Sequence, residues 1–257
     1  MKPRPSYKTD AIVLRCLDYG ESDRIVTFYT AEFGKVKGIA KGARRSKKRF
    51  ANTLEPFTCL ELLFSRHHQD GLAFLEEGKV TAHYSRIGQD LKKTLYASYL
   101  ADITDQFTVE NKKSEALFHL LRGFLEHLNR ESASEDLLRF FEMRLLKLVG
   151  YEPVLDRCLV CKAPVENGDS YYFSVRDGGV KCAPCSPQES GFLSLSVGTI
   201  KSLLLGKDLE AEMLGRLTLS ERSAQESRHC LGKFIEHLLG KEIKSLRVLR
   251  EIHALGI

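Results

Sequence analysis

The apolar side chains of this chain change their spacing near residue 86, and that change divides it into a strand-built part and a helix-built part. Residues 11–17 are apolar and β-rich, and Tyr19-Gly20-Glu21-Ser22-Asp23 after them has turn composition. A second β-branched and aromatic run follows over residues 24–30, with Ile25 and Val26 at its start. Residues 35–42 alternate charged with small or apolar side chains, and further strands are expected over 57–64 and 72–84, separated by Gln69-Asp70-Gly71. Five short strands in about 80 residues predict a small barrel or a sandwich, and periodicity leaves those two open.

Beyond residue 86 the repeat becomes helical. Leu91, Leu95, Tyr99, Ile103 and Phe107 mark one helix face, and Leu117, Leu121, Phe124 and Leu128 mark a second. A third helix is expected from the capping-box spacing Ser132-x-x-Glu135, through Leu138, Phe141, Leu145 and Leu148, to a stop at Gly150. Two more are expected over 198–205 and 221–239. The stripes read as core. The expected organisation is α+β multidomain: a β-domain over residues 1–85, then a helical domain over 86–257 with a cysteine-rich insert at about 156–192. At 257 residues, 43% apolar and 28% charged, the composition is that of an ordinary globular protein. No run reaches the roughly 18 apolar residues of a membrane span, and Met1-Lys2-Pro3-Arg4-Pro5-Ser6 lacks a signal-peptide core, so a cytoplasmic protein without membrane partners is expected.

In that compartment the seven cysteines are expected as thiols or metal ligands. Cys158-x-x-Cys161 and Cys182-x-x-Cys185 flank the twenty residues 162–181. Each two-residue gap lets two thiolates face one ion, and two such knuckles complete a tetrahedron. The segments Tyr171-Tyr172-Phe173-Ser174-Val175 and Gly178-Gly179-Val180 suit a hairpin that returns the second knuckle to the first. Four sulfurs leave no open coordination position, so one structural Zn2+ is expected. Cys16, Cys59 and Cys230 lie in apolar strands or a helical stripe and read as packing residues, and His67, His68 and His83 as exposed hairpin residues.

Charge is distributed unevenly. Residues 1–50 hold 13 Lys and Arg against 5 Asp and Glu, whereas the remainder of the chain carries a small negative excess. Lys35, Lys37, Lys41, Arg44, Arg45, Lys47, Lys48 and Arg49 fall within fifteen residues that contain no acid, with Phe50 at the end. Like charges this dense repel one another, and a polyanion offsets the repulsion most readily. Nucleic acid is the expected partner, bound by these residues, with Tyr29, Phe33 and Phe50 as candidate rings for base stacking, although each taken alone reads more readily as a core or loop aromatic. No GxxxxGK[ST], HExxH or GxSxG pattern occurs, and the scattered Asp10, Asp18, Glu21 and Asp23 have no spacing that sets them apart from turn residues. No enzymatic activity and no small-molecule substrate are expected. A zinc-ribbon adaptor for an acidic protein, with secondary DNA binding, is the alternative.

The run Gly20-Glu21-Ser22-Asp23-Arg24-Ile25-Val26-Thr27-Phe28-Tyr29-Thr30, then Glu32-Phe33-Gly34-Lys35, then Gly38-Ile39-Ala40-Lys41-Gly42-Ala43-Arg44-Arg45, resembles the N-terminal signature of the bacterial RecO family of DNA repair proteins. Leu54-Glu55-Pro56-Phe57 and Gly150-Tyr151-Glu152-Pro153 extend the resemblance over most of the chain. It implies an N-terminal OB-fold barrel followed by a helical domain with a zinc-ribbon-like insert. It further implies binding of single- and double-stranded DNA, strand annealing, and replacement of single-strand-binding protein by the RecA recombinase together with RecR. Recognition of the acidic C-terminal tail of single-strand-binding protein by the helical domain, and a place at the bacterial nucleoid, follow from the same resemblance. Arg122, Arg139 and Lys147 are candidates for rim charges of that groove and equally for ordinary helix-surface residues. Some members of the family lack the four cysteines; all four are present here.

Overall fold

The computed structural model describes residues 5–46, 48–66, 71–168, 170–186, 192–209 and 211–254. The chain forms two compact units, Met1–Arg130 and Glu131–Ile257. Lys47, His67, His68, Gln69 and Asp70 lie outside the described residues.

In the first unit, strands β1 (Ser6–Tyr19), β2 (Asp23–Thr30), β3 (Gly34–Ala40), β4 (Cys59–Ser65) and β5 (Ala73–Ala82) close into a barrel in the order β1-β2-β3-β5-β4. Closure decides between barrel and sandwich, and five strands in this order form an OB-fold. All neighbours are antiparallel except β3 and β5, which run parallel over only Gly38↔Ala73 and Ile39↔Phe74. The barrel is filled by Val13, Val26, Phe28, Val36, Leu60 and Phe64, among others. Strand β1 begins well before the apolar run, because one long strand serves two neighbours. Its polar first half pairs with β4 and its second half with β2.

A short turn, α1 (Ser85–Gly88), leads to α2 (Leu91–Phe107), whose N-terminus is capped by the Asp90 carboxylate accepting from the Lys93 amide, and then to α3 (Glu115–Arg130). The α2–α3 connection docks on the β2–β3 turn. The Asn111 amide donates to the Lys35 carbonyl at 3.1 Å, and the Tyr29 hydroxyl donates to the Ser114 carbonyl at 3.4 Å. Gly34, at φ +65°, sits so close that a Cβ there would lie 2.1 Å from the Lys112 carbonyl oxygen.

The second unit contains α4 (Glu135–Val149), a sheet of β6 (Tyr171–Ser174), β7 (Gly179–Cys182) and β8 (Phe192–Leu195) in the order β7-β6-β8, and helices α5 (Val197–Asp208), α6 (Glu221–Leu239) and α7 (Lys244–Ala254). Its core includes Phe140, Phe141, Phe173, Leu203 and Leu231. Three expectations change here. The α4 cap is Ser134, whose hydroxyl accepts from the Asp136 amide, and not Ser132; Glu135 is instead drawn into a bidentate pair with Arg228 of α6. Arg139 is no rim charge. It is 2% exposed and paired at 2.7 Å with the fully buried Glu142 on the next turn. Helix α7 went unforeseen, although Leu246 and Leu249, three residues apart, bury one face of it. Gly150 does end α4, in the left-handed conformation at φ +88°. Among the described residues, no helix is long and apolar enough to cross a membrane.

Candidate nucleic-acid interface and metal centre

The four knuckle cysteines meet. Their sulfurs all lie within 4.8 Å of one another, and they form the only group of metal-ligating side chains able to hold an ion among the described residues. Cys161 Sγ and Cys182 Sγ are 3.7 Å apart, close to the edge of about 3.8 Å expected for a tetrahedron with Zn–S of about 2.3 Å. Local chain geometry builds the arrangement. The first knuckle turns back at Lys162, φ +63°, with the Lys162 amide donating to the Cys158 carbonyl. Cys182 ends β7, and a 3-10 turn over Ala183–Cys185 delivers the fourth sulfur. The expected hairpin is β6–β7, with Tyr171 opposite Cys182.

The amides of Val160 and Cys182 each donate to Cys158 Sγ at 3.4 Å. Burial alone would raise the Cys158 thiol, but the Cys182, Cys161 and Val160 amides outweigh it and bring the group down to about 6. Cys182 is pushed up to about 12, by burial and then by sharing its site with Cys185, Cys158 and Cys161. One easily ionised sulfur among crowded neighbours is a donor set that a thiophilic dication would complete, because the ion removes the sulfur–sulfur repulsion. The remaining cysteines pack as expected. Cys59 contacts the Tyr84 hydroxyl in the interior, Cys230 is buried in α6, and Cys16 lies against the barrel core.

The basic run occupies β3 and the segment after it, where Ala43–Arg45 forms a 3-10 turn. Its members do not share one environment. Lys35 is 15% exposed and binds Asp105 of α2, through both carboxylate and carbonyl, so it holds the helix to the barrel. Lys41 pairs with Asp23 at 2.7 Å, and Arg44 approaches Asp18 at 3.6 Å. The Lys41 ammonium and the Gly42 amide hold the Asp23 carboxyl below its ordinary range. Lys37, Arg45, Lys48 and Arg49 are exposed, with no carboxylate partner among the described residues. Arg49 donates to the Lys41 carbonyl and lies 5.3 Å from the Phe50 ring centre. Same-chain acids thus neutralise part of the cluster and leave four described cations open to solvent.

The candidate stacking rings are not on the surface, and the core reading of each is the one that holds. Phe50 is 4% exposed and belongs to the barrel core, because the chain after the basic turn folds inward before β4. Tyr29 is buried under the α2–α3 connection. Phe33 packs edge-on against Tyr7 and Phe64, and the Arg66 guanidinium lies 5.6–5.7 Å from all three rings. A local aromatic reading cannot reveal this, since β-rich runs present rings to both faces of a sheet. Among the scattered acids, Asp18 and Asp23 serve the ion pairs just described.

Two family models match the chain: "Recombination protein O N terminal" over residues 1–84 and "Recombination protein O C terminal" over residues 88–247. Among similar proteins, the DNA repair protein RecO of Syntrophus aciditrophicus is 49% identical over 259 residues, covering all of both chains. That of Anaeromyxobacter sp. strain K is 36% identical over 95% of this chain and 96% of its own. The Bacillus pumilus protein is 32% identical over 96% of this chain and 95% of its own.

Proposed function

The chain belongs to the RecO family of DNA repair proteins, and from that premise we propose that it acts as a non-catalytic mediator that binds DNA on its barrel and brings complementary strands together. The observation that carries this reading is the set of solvent-facing cations Lys37, Arg45, Lys48 and Arg49, clustered in one stretch of the barrel unit. Such a surface lowers the repulsion between two phosphate backbones, and the displaced counterions make binding favourable and salt-dependent. Arg44 exchanges its carboxylate partner for a phosphate at small cost, because an ion pair exposed on both sides contributes only about 0–1 kcal/mol, whereas Lys41 is held by the largely covered Asp23. No bond need form or break, so strand pairing requires no nucleotide hydrolysis.

Within this reading residues 1–85 are the DNA module. Residues 86–257 serve docking: to RecR, and to the acidic tail of single-strand-binding protein, which the mediator helps RecA to replace. Cys158, Cys161, Cys182 and Cys185 hold zinc, which when bound supplies a rigid crosslink. The basic pair Arg157 and Lys162 flanks the first knuckle.

The test is titration of a labelled single strand over a salt series, with annealing of complementary strands followed in parallel. The triple variant K37A/R45A/K48A should anneal poorly and shift the slope of log affinity against log salt by about 2, at about 0.7 per phosphate contact. An unchanged slope would place the DNA site elsewhere. Cleavage of the labelled strand in magnesium or manganese would refute the non-catalytic part.

A further inference from the structure

Two carboxylates sit beside the basic turn, where each would repel a phosphate. Asp18 is exposed and approaches Arg24 at 3.2 Å and Arg44 at 3.6 Å. Asp23 differs. Its side chain is 16% exposed, it meets the Lys41 ammonium at 2.7 Å, and it accepts from the Gly42 backbone amide at 2.8 Å. Strand register explains the meeting. Arg24 lies opposite Ala40, so one step further along β2 and β3 sets Asp23 beside Lys41, where the basic turn begins.

Other parts of the turn rest on the same corner. Ala43 is tucked into the barrel core, and the Arg44 amide donates to the Ser22 carbonyl at 3.0 Å, next to Asp23. From the far end of the segment, the Arg49 guanidinium donates to the Lys41 carbonyl at 2.9 Å. Arg45, Lys48 and Arg49 are exposed, and cations so close in sequence repel one another. A carboxylate bonded to a backbone amide fixes the path of the chain as well as its charge. An exposed ion pair such as Asp18–Arg44 contributes little to either.

Resting on the DNA-binding reading above, we propose that Asp23 is a positioning residue for DNA, holding the Lys41–Gly42 corner so that Arg45, Lys48 and Arg49 meet phosphates already arranged. The repulsion between Asp23 and phosphate is offset because a turn ordered in advance loses little freedom on binding. Removing this negative charge therefore weakens DNA binding, the opposite of what net charge alone dictates.

The full chain, as wild type, D23N and D18N, is titrated with a labelled single strand over a salt series. Each variant removes one negative charge from the same surface. D23N should bind about fivefold more weakly, through the freedom its turn regains, with the salt slope unchanged because the same cations remain. D18N should bind as tightly as the wild type or more tightly. Trypsin cutting of the DNA-free proteins is followed alongside, and D23N should be cut first, and faster than the wild type, after Arg44, Arg45 or Lys48. Wild-type or tighter affinity in D23N, equal weakening in both variants, a turn cut no faster, or first cuts spread through the barrel would each overturn the proposal. Failure of the wild type to bind the strand would remove the DNA-binding reading and this role with it, a result distinct from any difference between the variants.

Discussion

Gly34 and Lys35 show how adjacent residues in a basic, glycine-containing run take on structural work. Gly34 holds a left-handed turn against the Lys112 carbonyl, and Lys35 reaches from the same turn to Asp105. An alanine at 34 would be strained by its φ and would force the 110–113 segment off the barrel. G34A should therefore lose about 2 kcal/mol or more in urea unfolding of the first unit; K35A should be milder, and should leave the salt slope of DNA binding unchanged. Glu226 offers a second test at this scale. Burial alone would raise its carboxyl, but donors from Thr199, Arg222 and Ser196 outweigh burial and hold it at about 2. A depressed folded value means that the stabilisation is complete above the ordinary glutamate range near 4.5 and is lost as pH falls toward 2. E226Q should flatten the stability–pH curve across that window and cost on the order of 2 kcal/mol at neutral pH. A variant with the wild-type acid limb would refute this.

Among the elements, the cysteine knuckles are the most dependent on something other than a core. Strands β6, β7 and β8 are four residues each, short for an independent sheet. Metal binding on the order of 10 kcal/mol is well matched to fixing them. Purified chain should contain about one zinc, and C161A should lose it and expose the β6–β8 sheet to proteolysis; a metal-free preparation with the same protease pattern would refute this. The knuckles were legible in the sequence because covalent spacing alone limits what four thiolates can do. The strands and main helices were legible for a similar reason, as periods of two and of 3.6 are local. Which way a ring faces is not local. Phe50 and Tyr29 stand in β-rich or basic surroundings, yet the inward path before β4 and the docking of residue 114 bury them. Arg139 deceived in the same way: a cation in an amphipathic stripe reads as surface until its partner Glu142 is seen one turn along. Tyr19 had the opposite fate. It reads as part of a turn, and only the register with Asp23 places it at the end of a strand.

For the whole molecule, the contacts of the α2–α3 connection bear on which segments stand alone. The family models part between residues 84 and 88, but the barrel's compact unit runs to Arg130. A fragment of residues 1–130 should therefore fold cooperatively. One of residues 1–85 should be far less stable, having lost Asp105, Lys112 and Ser114 from the β2–β3 turn. Equal melting of the two fragments would show those contacts to be dispensable. The barrel also has one weak stave joint. Its β3–β5 closure is a two-residue parallel ladder, while every other joint has at least seven registered pairs. Among the barrel's joints, this one has the fewest backbone hydrogen bonds to lose, so opening of the cylinder is expected to start there. Ile39 and Phe74 face each other across that joint, so any contact that spans the two strands there acts as a hoop on the cask.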